Sequence, residues 1–364
     1  PQAAQERGES MTKILHRDLD RRCKPLDEWP AADRALWQAA LMPGDLFDDG
    51  GARARHSEIS NRNAVYGYGR WLTCLDRHGW LDDASSPADR ITPARVRAYI
   101  PDLERHNATQ TVLNRLQELY AVALVMDPDR DWSWIHRFHS HVRTRHRPAR
   151  PKRARLVPVW DLFNLGLSLM ASAEQETTPC KRAMVFRDGL IIALLALRPL
   201  RLRNLAGLVL DSTLVLRGNR WWIQIPASET KTKKEIDVPW PEALAPALET
   251  YITRHRPVLA SMWRGSVRPV GQALWVSTDG SPMGRQTIYA TIVSSTRDGL
   301  GRRINPQLVR DCAVTSIAIE APDDIGIASP LLGHQGSATT EKYYNQARGI
   351  EAARRLQKVV LSRR

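Results

Sequence analysis

Arg201, Lys231, Arg310, His334 and Tyr343 stand in that order in the second half of a 364-residue chain. Together they supply what a side-chain nucleophile needs to break a phosphodiester: an attacking oxygen, cations for the charge that builds on phosphorus, and an acid for the leaving oxygen. Paired arginines suit the middle task, because planar guanidinium forks hold two nonbridging oxygens and stay charged. Lysine suits proton donation once burial beside other cations lowers its pKa. A tyrosine with a reference pKa of ~10 needs the same cations to favour its phenolate. Each residue also has a plainer reading: Arg201 or Arg310 as a solvated helix face, Lys231 as turn solubility, His334 as a cap on the next helix, Tyr343 as the edge of a core.

The elements that must position these groups can be read from periodicity. After Leu156, Leu162, Leu165 and Leu169 and then Val185 to Leu197 read as helices. Leu214-Val215-Leu216, Trp221 to Ile225 and Glu235 to Val238 read as three antiparallel strands, turned at Gly218-Asn219 and at the Lys-rich Lys231 to Lys234. Helices resume at Pro241 to His255, Gln286 to Arg297, Pro306 to Glu320 and Thr339 to Gln346, which gives a mixed, mainly helical half. Trp221, Trp222 and Trp275 read as core.

The first half shows helices and no strand pattern. Residues 1–55 read as a loosely packed arm with one helix at Ala31 to Leu41. A first amphipathic helix runs from Asn63 to near Gly79, and a second starts at the Thr92-Pro93 cap. Val112, Leu116, Leu119, Tyr120 and Ala123 mark a third, and Trp132 to His141 a fourth, making a small bundle in which Trp71, Trp80, Trp132 and Trp134 serve packing. From His141 to Arg155 the sequence carries Arg143, Arg145, Arg147, Arg150, Lys152, Arg153 and Arg155 with two prolines and no acid. This is an exposed, self-repelling linker suited to tracking phosphates.

The chain carries 53 Lys and Arg against 39 Asp and Glu, a net charge of +14, which marks a polyanionic partner. The longest apolar run, Leu190 to Leu197, is far below the ~18 residues of a membrane span. Pro1 to Arg22 lacks the apolar core of a secretion signal, so a cytoplasmic address is expected. Cys23, Cys74, Cys180 and Cys312 are scattered without zinc-ligand spacing and read as reduced thiols. No nucleotide-binding glycine loop is present, and neither metal nor cofactor is expected.

Four boxes in order resemble the tyrosine recombinases, or phage integrases. Pro199-Leu200-Arg201-Leu202-Arg203-Asn204-Leu205 resembles the family's G-L-R-x-x-E-L, and Thr230-Lys231-Thr232 its hairpin lysine. Ile304 to Arg310 resembles H-x-x-R, and Leu331-Leu332-Gly333-His334 with Tyr343 resembles L-G-H-x8-Y. Three positions depart from the pattern: Gln307 for the histidine, Asn204 for the acid, and Asp311 where histidine is common. Gln307 can hydrogen-bond a phosphate or Tyr343 but does not titrate near neutrality.

The resemblance implies a mainly α fold with a small antiparallel sheet: an N-terminal SAM-like core-binding bundle (56–145), a basic linker (146–155), an α+β catalytic domain (156–345) and a tail helix (346–364). It implies that Tyr343 forms a 3′-phosphotyrosyl link, Arg201, Arg310 and His334 serve the phosphate with Gln307 beside them, and Lys231 protonates the departing 5′ oxygen. The two domains would close a clamp on double-stranded DNA as a homotetramer on two sites, with directionality factors as further partners. The tail stripe Ile350, Ala353, Leu356 and Val360 suits docking on a neighbour or folding back on its own domain. Two other readings stay open: a DNA-binding accessory relative without chemistry, and a type IB topoisomerase.

Overall fold

The computed structural model describes residues 21–45, 47–145, 155–265 and 270–320. The chain divides into two compact units, residues 1–150 and 151–364, each with its own core.

The first unit is helical throughout its described residues: α1 (Ala31–Leu41), α2 (Glu58–Arg77), α3 (Pro93–Glu104), α4 (Thr109–Met126) and α5 (Ser133–Thr144). α2 begins at a serine cap, where the Ser57 side chain accepts the Ser60 N–H at 3.2 Å, five residues before its apolar stripe becomes legible. Thr92 caps α3 in the same way and Pro93 occupies its first turn.

Among the described residues, the stretch from Lys24 to Ala40 packs more closely than the sequence suggests. Trp29 and Trp37 are fully buried beside Tyr68, whose ring centroid lies 4.8 Å from that of Trp29. The Lys24 N–H donates to the Gly69 carbonyl at 3.0 Å, a contact that needs glycine because a Cβ there would sit 2.1 Å from the Lys24 oxygen. Asp33, also buried, accepts the Tyr68 hydroxyl at 2.7 Å and pairs with the buried Arg90. Burial, then the Asp33 carboxylate, pushes the Tyr68 phenol well above its ordinary pKa, so it remains a donor. Two widely spaced tryptophans and one aspartate between prolines carry no periodicity, which is why the segment reads as an arm.

The second unit wraps around α7 (Pro179–Leu197). Residues 189–196 of this helix are buried on every side, so its sequence shows a run rather than a stripe. α6 (Val159–Ser172) lies against it where glycines meet: a Cβ on Gly166 would come within 2.7 Å of that of Ala193. A short helix, α8 (Leu202–Ala206), follows, which the sequence does not announce. The sheet has order β1-β2-β3 and is antiparallel: β1 (Leu214–Arg217), β2 (Arg220–Ile225) and β3 (Ile236–Pro239), with Leu214 opposite Ile223 and Ile223 opposite Val238. Gly218, at a φ of 59°, makes the first hairpin turn.

α9 (Ala245–Thr250) continues through a widened turn at Tyr251–His255 into α10 (Arg256–Ala260), longer than the helix expected there. α11 (Arg285–Leu300) and α12 (Pro306–Glu320) complete the described residues. Mainly helical with one small antiparallel sheet, the fold is of the expected class. Among the described residues, no helix is long and apolar enough to cross a membrane, and no group of three or more His, Cys, Asp or Glu side chains could hold a metal.

Breaking a buried ion pair by removing one partner costs about 3–5 kcal/mol. Asp33→Ala is therefore expected to destabilise the first unit by about 3–5 kcal/mol in urea unfolding of the full chain. A loss under ~0.5 kcal/mol, typical of surface substitutions, would mean that the N-terminal segment is not part of that core.

Candidate active site

Arg201 is placed by the end of α7. The helix stops at Arg198-Pro199, since proline cannot extend it, and the chain re-enters helix three residues later with Arg201 as the N-cap of α8. α8 is held by its own 2.9 Å bond from the Leu205 N–H to the Arg201 carbonyl and by the buried Trp275, whose indole N–H donates to the Leu205 carbonyl at 2.9 Å. Trp275 is core, as its sequence setting suggests, and it fixes the helix that starts at Arg201.

Arg310 comes from the second turn of α12 and is 4% exposed. Its Nη1 donates to the Pro199 carbonyl, two residues before Arg201, so 111 positions of sequence separation close into one place. Burial, and then the charge of Arg201, hold the Arg310 guanidinium down at about 10, with Asp311 acting in the opposite sense. Burial also lowers Arg201. Both remain charged at neutral pH, as two partly desolvated cations whose repulsion an anion would relieve. A dianionic or diester phosphate has the charge and oxygen geometry to do so.

Asn204 lies in the first turn of α8, 4% exposed, and its amide Nδ2 has no hydrogen-bond partner among the described residues. An amide where the resembling family carries an acid leaves a buried donor in place of an acceptor. Gln307 is exposed in the first turn of α12, one turn before Arg310, while Asp311 is buried beside that arginine. Lys231 is exposed in the β2–β3 turn. The burial expected beside this lysine is not found in the protein alone. His334 and Tyr343 lie outside the described residues, as does the tail stripe.

The basic linker is also changed in part. α5 runs to Thr144, so Arg143 and Arg145 are exposed residues on and just after a helix end rather than on an extended strap. Arg155 donates to the Arg303 carbonyl at 2.9 Å, and Arg302 donates to the Leu156 carbonyl at 3.0 Å, so the start of the second unit is stapled to the loop before α12. Arg147, Arg150, Lys152 and Arg153 lie outside the described residues.

A buried arginine brought onto the turn that carries another is matched by the chain's likeness to known proteins. The sequence model of the phage integrase family matches residues 167–349, half of the chain. The chain belongs to the phage integrase family. Among curated relatives, this integrase-family chain is 26% identical to tyrosine recombinase XerD of Mycobacterium tuberculosis over 184 residues, 49% of the chain and 53% of that protein. It is 29% identical to tyrosine recombinase XerC of Pseudomonas savastanoi pv. phaseolicola over 160 residues, 44% of the chain and 48% of that protein. The matched stretches thus span about half the length of these relatives, and 35% of XerD from Corynebacterium glutamicum.

The fold of this integrase-family chain resembles that of XerH site-specific recombinase bound to difH substrate, with a TM-score of 0.56 at 14% identity, covering 91% of this chain and 99% of that one. It also resembles the Tn1549 transposon integrase in complex with circular intermediate DNA, with a TM-score of 0.52 at 13% identity, covering 87% and 98%.

If the paired guanidiniums form an anion site, inorganic phosphate or sulfate at five times its Kd should stabilise the integrase chain by roughly 1 kcal/mol in thermal unfolding, from mass action alone. Arg201→Ala should remove that increment. Equal stabilisation of both proteins would place the anion elsewhere.

Proposed function

We propose that the chain is a site-specific DNA recombinase that cuts and rejoins double-stranded DNA through a 3′-phosphotyrosyl intermediate. The observation that carries this reading is the convergence of Arg201 and Arg310, two mutually repelling guanidiniums, at the junction of α7, α8 and α12. Membership of the phage integrase family and the net charge of +14 support it.

In this reading Tyr343 Oη attacks the scissile phosphorus, and the P–O5′ bond breaks with its electron pair on the 5′ oxygen. Lys231 Nζ gives that oxygen its proton. The phenolic proton passes to solvent water, since the neutral amide of Gln307 has no basic atom to take it. Arg201, Arg310 and His334 hold the nonbridging oxygens as charge builds on them. Attack by a 5′ hydroxyl of another strand reverses the steps, and the ester conserves the bond energy, so neither ATP nor a cofactor is needed. Lys231, exposed in the protein alone, becomes desolvated when DNA covers the sheet edge.

The same reading assigns DNA gripping to the helical unit, with Arg143, Arg145, Arg147, Arg150, Lys152, Arg153 and Arg155 tracking the backbone between the units. It also assigns assembly to four copies on two sites, direction to accessory factors, and a cytoplasmic location.

On suicide-nicked duplex selected by the full chain from randomised DNA, a covalent protein–DNA adduct is expected with the unsubstituted chain and none with Tyr343→Phe. Arg201→Ala should slow adduct formation by about 10²–10³-fold, the usual loss for one donor to a developing charge. An adduct that survives Tyr343→Phe sinks the assignment of the nucleophile. DNA binding with no adduct from the intact chain would favour the accessory relative. Gln307→His should add a titrating group near ~6.5 to the cleavage profile, with faster cleavage above that pH. An unchanged profile would mean that proton removal from Tyr343 does not limit the step.

A further inference from the structure

The turn that carries Lys231 is closed by one buried hydroxyl. Thr230 is 5% exposed. Its Oγ1 lies 2.7 Å from the Lys234 carbonyl and 3.1 Å from the Ala227 carbonyl, and it accepts the Lys234 N–H at 3.2 Å. Having one proton, it donates to one carbonyl at a time, and the Lys234 oxygen is the nearer. The main chain of the same residue adds two more bonds, from its own N–H to the Ala227 carbonyl at 3.2 Å and from the Lys233 N–H to its carbonyl at 3.4 Å. Thr230 therefore ties both ends of the loop that holds Lys231, Thr232, Lys233 and Lys234.

The tie works against two costs. Lys231, Lys233 and Lys234 crowd like charges into four residues. Lys233 also takes a left-handed backbone at a φ of 55°, unfavourable for a residue with a Cβ. An exposed loop with these properties would open unless something internal held it. A threonine side chain at the start of the loop does so without restricting the lysine side chain itself.

We propose that Thr230 is the positioning residue of the general acid: its hydroxyl sets the point from which Lys231 reaches the departing 5′ oxygen. The inference rests on the recombinase reading above. Misplacement of a reacting group by about 1 Å costs on the order of 10²-fold, and a general acid contributes about 10²–10⁴-fold, so the hydroxyl has room to matter without touching DNA.

The test uses the full chain on the selected suicide duplex in two forms, one with an ordinary scissile phosphate and one with sulfur in place of the bridging 5′ oxygen. A thiolate leaves without a proton, so the second form needs no acid. Thr230→Val should slow cleavage of the ordinary duplex by about 10–100-fold and cleave the sulfur duplex at the unsubstituted rate, while Thr230→Ser, which keeps the hydroxyl, should restore ordinary cleavage. Should Thr230→Val not fold, Thr230→Ala removes the same hydroxyl without crowding and carries the same outcomes.

Unchanged cleavage of both duplexes, or equal slowing of both, overturns the proposal, the latter because it marks a merely structural loss. Lys231→Ala separates the two layers. If sulfur rescues Lys231→Ala but Thr230→Val is normal on both duplexes, only the positioning role fails. If sulfur does not rescue Lys231→Ala, or the unsubstituted chain forms no adduct, the reading of Lys231 as the acid fails and the proposal with it.

Discussion

Two positive charges held close together, one buried and one half-buried, are the constraint on which the second unit turns. Arg310 is buried in α12, its Nη1 spent on the Pro199 carbonyl, and Arg201 is near enough to depress it. Left alone, such a pair separates. It persists here because the elements bearing it have little freedom. Residues 189–196 of α7 are buried on all sides, proline ends the helix, and Trp275 pins the short helix that follows. The core's apolar packing holds the two guanidiniums near each other against their mutual repulsion, and a bound anion would convert that repulsion into affinity.

The remaining pieces are held to different degrees. The β2–β3 turn offers Lys231 exposed to solvent, tied by the Thr230 hydroxyl to the Lys234 backbone. Gln307 is exposed one helical turn before Arg310. Arg201 and Arg310 are thus brought together in the protein alone, whereas Lys231 stands exposed apart from them.

The first unit rests on an analogous arrangement of opposite sign. Asp33 is the buried charge, answered by Arg90 and the Tyr68 hydroxyl, and Asp102 is likewise buried with Arg70, Arg77 and Arg105 around it. In both cases a carboxylate fastens helices whose apolar faces alone leave some freedom of register. The tryptophans of residues 29–37 complete this core.

Much of this was written in local sequence. The caps at Ser57 and Thr92, the strand alternation in the sheet, the Gly218 turn and the amphipathic stripes are set by residues within one or two turns of each other, and the helices and strands follow them. The order of Arg201, Lys231 and Arg310 was legible as well, because residue type and spacing along the chain are properties of sequence. What sequence left open depends on distances across it. The buried place of Trp29 and Trp37, the short helix opening at Arg201, the exposure of Lys231 and the Thr230 tie have no periodic signature. Above all, only the tertiary structure decided that Arg310 donates to Pro199, 111 residues away, since that contact exists only once two helices have packed and excluded water between them.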